Sequence, residues 1–145
     1  MRDLPGQLTA DELAELFEGR TRFVERLALL EDPLGRARDL AATLPEDEQK
    51  EILDAHPAIG GATRSARSAR EQGTDDDPAV LVELAELNRR YEERFGFRFV
   101  VFVDGRPRRE IVPILRARIE RTREQELATG VDELVQIAIS RWRSS

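Results

Sequence analysis

Signals that begin and end α-helices follow one another along most of this chain. A capping box that opens at Thr9 predicts the start of a first helix, and Gly19 predicts its end. Asp77 and Pro78 predict the start of the helix with the longest apolar pattern, which Gly96 ends. Because this punctuation leaves little room for strands, the sequence predicts an all-α fold.

Apolar side chains recur at helical spacing between these signals, which indicates amphipathic helices around one core. The segment Phe97–Val103 is different, because crowded aromatic and β-branched residues are typical of extended backbone. Pro113 argues against a second strand that could pair with it, so we interpret the segment as a buried extended connection. The whole is predicted to be a compact single-domain multi-helix bundle over residues 1–145.

The composition excludes several classes of function. With 29 acidic and 23 basic side chains the formal net charge is −6, so we expect no nucleic-acid partner. The absence of cysteine and the single histidine exclude thiolate chemistry and metal sites built from several imidazoles. No run approaches the roughly 18 apolar residues of a membrane span. We therefore expect a cytoplasmic protein with no membrane partner.

Two short motifs could carry chemistry. His56 follows the predicted end of a fourth helix, Pro57 fixes its direction, and imidazole is the side chain that moves protons near neutral pH. Ser68, Glu71 and Gln72 are spaced i, i+3 and i+4, so on a helix they would project from one face. Each motif also has a structural interpretation, since a solitary histidine is often structural and the second motif could be a solvated helix face.

These motifs belong to an ordered set that resembles one enzyme family, the decarboxylases of 2-oxo-4-hydroxy-4-carboxy-5-ureidoimidazoline (OHCU). The set runs along nearly the whole chain. Its members are His56-Pro57, Ser68-x-x-Glu71-Gln72, Asn88-x-x-Tyr91, Phe95-Gly96-Phe97-x-Phe99, Arg118-Ile119, Glu126-Leu127-Ala128, Glu133-Leu134-Val135-Gln136-Ile137 and Arg141. Each motif is weak by itself, and the order of the set makes the resemblance specific.

The resemblance implies an all-helical homodimer that converts OHCU to (S)-allantoin in urate degradation, with neither a metal nor an organic cofactor. It implies that His56 is the catalytic acid/base and that Glu71 acts beside it. It also implies an arginine in the site, for which Arg141 is the better match and Arg118 the second. The implied substrate-binding residues are Pro57, Ser68, Ala69, Arg70, Glu71, Gln72, Phe99, Val100, Val101, Phe102, Val103 and Arg141.

Two alternatives stay open at the level of sequence. The connection between His56 and Ser68 is shorter than is usual in the family, which would suit a cofactor-free enzyme for another ureido or imidazole compound. The chain could also be a non-catalytic helical interaction module in which His56 is structural. The arginines between positions 106 and 123 alternate with acids, which favours a solvated helix face over a nucleic-acid surface.

Overall fold

The computed structural model describes residues 3–59 and 77–144, and every regular element in these ranges is an α-helix. The all-α prediction is confirmed. The helices, numbered here in chain order, are α1 (Ala10–Phe17), α2 (Arg22–Leu27), α3 (Pro33–Thr43), α4 (Glu46–Asp54), α5 (Pro78–Phe95), α6 (Arg108–Ile119) and α7 (Arg123–Ser144). Within the described residues, none of these helices has the length and apolar character that crossing a membrane requires.

Side-chain caps explain the predicted helix starts, which are confirmed. The Thr9 hydroxyl accepts a hydrogen bond from the N–H of Glu12, whose carboxylate accepts one from the N–H of Thr9. Thr21 caps α2 through the N–H of Val24, and the side chain of Asp77 caps α5. Each cap satisfies an N–H group that has no partner inside its own helix.

The end of α1 differs from the prediction by one residue. Glu18, rather than Gly19, adopts the left-handed conformation after α1, with a φ of 62°. Gly19 lies against the end of α4, where a Cβ atom on the glycine would be 3.0 Å from the Cβ atom of Ala55. A side chain at this position would therefore push the two chain segments apart by a few tenths of an ångström.

Helix α7 is the centre of the packing. It packs against α1, α3 and α4, while α5 packs against α6. Leu134, Val135 and Ala138 on α7 are fully buried in the core. This arrangement brings the C-terminal ends of α1 and α4 together with the C-terminal half of α7.

The segment Phe97–Val103 is a buried extended connection between α5 and α6, as predicted. Its aromatic side chains pack on α5: the rings of Phe97 and Phe99 have their centroids 6.0 Å and 5.2 Å from that of Tyr91. Pro113 lies inside α6, so no strand returns alongside the connection. No strand among the described residues pairs with this backbone, which the packing of buried aromatic rings holds extended.

Candidate active site

His56 lies in the turn that ends α4. Its N–H donates to the carbonyl oxygen of Leu53 over 3.1 Å, which closes the last turn of the helix. Both His56 and Pro57 are buried. The residue before a proline is disfavoured in helical geometry, so Pro57 explains why the chain leaves the helix here and carries the imidazole away from it.

Two side chains from elsewhere in the chain anchor this turn. The Nη1 atom of Arg98 donates to the carbonyl oxygen of His56 over 2.7 Å, and the N–H of Arg98 donates to Oδ1 of Asp54 over 3.0 Å. Nδ2 of Asn88 on α5 donates to the carbonyl oxygen of Ile59 over 2.9 Å. The catalytic candidate is therefore fixed at its main chain to both α5 and the extended connection.

Burial makes the His56 imidazole neutral at physiological pH. Loss of solvation is the main cause that lowers its pKa from 6.5 to about 4. The guanidinium of Arg141 lowers the pKa further, the carboxylate of Glu18 opposes this, and Arg98 adds a smaller lowering. Among the described residues no group hydrogen-bonds to Nδ1 of His56. A neutral, incompletely bonded imidazole can accept a proton from a bound molecule.

Arg141 approaches this turn from α7 and is almost completely buried, with 1% of its side chain exposed. Its Nη1 atom donates to the carbonyl oxygen of Leu16 over 2.8 Å, and its Nη2 atom lies 3.2 Å from Oε1 of Glu18. Both partners belong to the end of α1. Helix α1 thus holds the guanidinium close enough to His56 to affect its pKa.

The extended connection has main-chain groups of two kinds. Some are bound by arginines: Arg118 donates to the carbonyl oxygen of Val100, and Arg106 donates to those of Phe102 and Val103. In the part of the chain that the structure describes, no hydrogen bond involves the main chain of Phe99 or Val101. These groups could bind the amide groups of a ligand, because extended backbone does not use them internally.

The side chains of this connection are less available to a ligand than its main-chain groups, because most of them are buried. Phe99, Val100, Val101 and Val103 are buried in the core. The half-buried Phe102 lines a groove of about 760 Å³ together with residues of α3 and α7, among them Leu34 and Ile139. Neither His56 nor Arg141 lines this groove, so its volume is separate from the candidate active site.

Arg118 belongs to a buried network rather than to a solvated helix face. Its Nε atom donates to Oε1 of Glu126 over 2.7 Å, and the same carboxylate accepts from Tyr91 and from Arg121. The guanidinium also lies 4.6 Å from the ring centroid of Phe99. Burial, followed by the contact with Glu126, raises the pKa of the Tyr91 hydroxyl. Arg118 is therefore an exception to the predicted solvated helix face, and besides burial the pKa of His56 is lowered by Arg141 and, less strongly, by Arg98.

The run Ser68 to Gln72, with Glu71, lies outside the described residues. Its predicted place beside His56 therefore stays a prediction. Among the residues that are described, no group of three or more His, Asp or Glu side chains could hold a metal ion. Sequence reasoning missed Glu18 and Arg98, since an acid before a glycine and an arginine in an aromatic run are both typical of exposed positions.

Comparison with known proteins identifies the family. Residues 4–143 match the sequence model of the family described as OHCU decarboxylase. The chain belongs to the OHCU decarboxylase family. The chain is 29% identical over 150 residues to the uric acid degradation bifunctional protein PucL of Bacillus subtilis. This alignment covers 95% of this chain and 30% of PucL.

A second relative of this family member is the 2-oxo-4-hydroxy-4-carboxy-5-ureidoimidazoline decarboxylase of Mus musculus. The two are 35% identical over 104 residues, which cover 66% of this chain and 58% of the mouse protein. The chain thus spans between about a third and three fifths of the length of these two relatives.

The fold is also similar to that of a solved structure of an OHCU decarboxylase in the presence of (S)-allantoin. The TM-score is 0.76 at 24% identity, over 90% of this chain and 94% of the other. This likeness shows that the two proteins share one fold.

Proposed function

We propose that this protein removes the carboxylate of OHCU as carbon dioxide and yields (S)-allantoin in urate degradation. Family membership over residues 4–143 supports the reaction class, and the relatives are named for this decarboxylation and for uric acid degradation. The observation that carries the proposal is the buried, neutral imidazole of His56 in the field of the buried Arg141. The protein would act in the cytoplasm as a homodimer, without metal or organic cofactor.

The substrate can supply its own electron sink. Its carboxylate is on C4, which also bears a hydroxyl, and C4 adjoins the C5–N1 double bond of the ring. When the bond between C4 and the carboxylate carbon breaks, carbon dioxide leaves and the electron pair moves toward N1. The ring delocalises the negative charge, so the protein has to supply orientation, hydrogen-bond donors and protons.

In this proposal His56 acts first as a base and then as an acid. The neutral imidazole accepts the proton of the 4-hydroxyl as that oxygen becomes a carbonyl, and the imidazolium then donates the proton to C5. A second proton, from water, neutralises N1. Because burial disfavours the imidazolium, the charged ring is a stronger acid than an imidazolium in water and releases its proton more readily. Delivery to one face of C5 would yield one enantiomer.

The remaining site residues would bind and orient the substrate. Arg141 would hold the substrate carboxylate or a ring carbonyl, because guanidinium groups bind planar anions through paired donors. Main-chain groups of Phe99 and Val101, in the run Phe99–Val103, would bind the ureido and ring amides. Pro57 and the run Ser68–Gln72 would complete the pocket, with Glu71 beside the imidazole.

The proposal is tested by supplying OHCU directly. OHCU is generated in the cuvette from urate with the two upstream enzymes, and the circular dichroism of allantoin is followed with and without this protein. We expect (S)-allantoin to form faster in its presence, in proportion to its concentration. An unchanged trace would contradict the proposal and favour a non-catalytic module, and turnover of a different ureido compound alone would change the substrate.

A further inference from the structure

Glu18 has a largely buried side chain and an unfavourable local position. It follows α1 with a φ of 62°, a conformation that costs free energy for any residue with a Cβ atom and is usually occupied by glycine. It also places a negative charge at the C-terminal end of a helix, where the helix dipole favours positive charge. Only 7% of its side chain is exposed, so solvent does little to stabilise it. Something in the tertiary structure must compensate for these costs.

Among the contacts of the described residues, the ion pair with Arg141 compensates for part of these costs. Oε1 of Glu18 lies 3.2 Å from Nη2 of Arg141, while Nη1 of the same guanidinium donates to the carbonyl oxygen of Leu16. Two groups at the end of α1 therefore hold two different nitrogen atoms of one buried guanidinium. A guanidinium held at two nitrogen atoms has a fixed plane as well as a fixed position.

The same end of α1 touches the turn that carries His56. Gly19 packs against Ala55, the residue directly before His56, as closely as a glycine allows. Glu18 is also the acid whose charge opposes the effect of Arg141 on the imidazole. The carboxylate is therefore placed to affect both the arginine and the histidine.

Resting on the proposed function, we propose that Glu18 is a positioning residue of the active site. Its carboxylate orients the Arg141 guanidinium toward the substrate carboxylate beside His56 and balances its charge. At Glu18 a positive φ, a negative charge at a helix C-terminus and a buried charge occur together. Such locally unfavourable features are typical of functional sites.

The test compares Glu18→Ala and Glu18→Gln with matched changes at Glu48. The side chain of Glu48 is about as buried as that of Glu18, at 6% against 7% exposed, and its Oε1 lies 2.9 Å from Nη1 of Arg26. Glu48 does not contribute to the pKa shift of His56. We expect Glu18→Ala to lower kcat/KM for OHCU by about 100-fold, mainly through a higher KM, because a misplaced guanidinium no longer docks the substrate. Glu18→Gln should recover about 10-fold of that loss, since its amide oxygen still accepts from Arg141. Glu48→Ala should stay within about twofold of the wild type.

A second measurement does not depend on turnover. Because the chain contains one histidine, its ring NMR signals can be assigned without ambiguity. We expect these signals to move at pH 7 in Glu18→Gln and to stay in place in Glu48→Gln. If the wild type lacks activity on OHCU, the proposed function fails while this measurement still tests Glu18. Wild-type kcat/KM and unmoved His56 signals in Glu18→Gln would overturn the inference, even if Glu18→Ala failed to fold.

Discussion

The protonation state of the His56 imidazole follows from how deeply the side chain is buried. An imidazole in water is partly protonated near pH 6.5, whereas this ring has lost most of the solvent that would stabilise its charge. Arg141 and Arg98 are both cationic, and each lowers the pKa of the His56 imidazole further. In the proposed reaction, the two arginines attract the anionic substrate and the neutral ring accepts a proton from it, while Glu18 offsets part of the positive charge.

This burial predicts a pH-dependent stability. The pKa of His56 is about 4 in the folded state and near 6.5 in the unfolded chain, so between these values the unfolded state binds more protons. The folded state should therefore lose stability as the pH falls from 6.5 to 4, by up to roughly 3 kcal/mol from this residue. Urea unfolding of the wild type and of His56→Asn between pH 7.5 and 4 measures the effect. A constant difference between the two proteins over that range would rule out the low pKa.

Individual residues of the site differ in how far the sequence could predict them. His56 could be predicted because a proline and a helix end mark its position, and because the chain has no other histidine. Glu18 could not be predicted, since the burial of its side chain depends on an arginine more than 100 positions away in the chain. A side chain that is polar in pattern but buried by a distant partner leaves no local signal.

At the scale of elements, the extended connection is held by arginines where a sheet would use a neighbouring strand. Arg118 supplies a donor to Val100, packs over Phe99 and neutralises Glu126. The side chain of Glu126 is fully buried. Removing Arg118 would leave this carboxylate with Tyr91 and Arg121, without its most deeply buried charge partner.

We predict that Arg118→Ala lowers the free energy of unfolding by roughly 3–5 kcal/mol, because it breaks a buried ion pair. Arg116→Ala on the same helix is the control. Arg116 pairs with Glu83 at the surface, its side chain is 58% exposed, and its loss should cost no more than about 1 kcal/mol. Urea unfolding at pH 7 compares the two variants. Equal effects would show that the Arg118 network does not stabilise the connection.

The helices themselves were largely predictable, because caps and glycines determine where they begin and end. Thr9, Thr21 and Asp77 act locally, within three residues of the N–H groups that they bind. The extended conformation of Phe97–Val103 could be predicted from its composition, since aromatic and β-branched residues favour extended backbone. The burial of Arg118 was not, because its spacing among arginines and acids is the same as that of an exposed helix face.

At the scale of the molecule, α7 links the helices on which the site depends. It packs against α1, α3 and α4 and carries Arg141 to the end of α1. Its Trp142 donates from Nε1 to the carbonyl oxygen of Asp3 over 2.9 Å, which joins segments far apart in the chain. Loss of α7 from the core would therefore disrupt the site and the bundle together.

We predict that the chain unfolds in one cooperative transition, as a single domain of this size usually does. Trp142 is the only tryptophan, so its fluorescence reports the end of α7, while circular dichroism at 222 nm reports all helices. The two urea transitions should have the same midpoint and slope. A fluorescence transition that precedes the loss of helix would show that the chain contains more than one folding unit.

If His56 accepts the hydroxyl proton and delivers it to C5, as proposed, then removing the imidazole should slow turnover without unfolding the protein. The rate of (S)-allantoin formation from OHCU generated in the cuvette is measured for the wild type and for His56→Asn at pH 7.5. We expect a rate about 10²–10⁴-fold lower for the variant, with an unchanged far-ultraviolet circular dichroism spectrum. A folded variant that forms (S)-allantoin at the wild-type rate would contradict it.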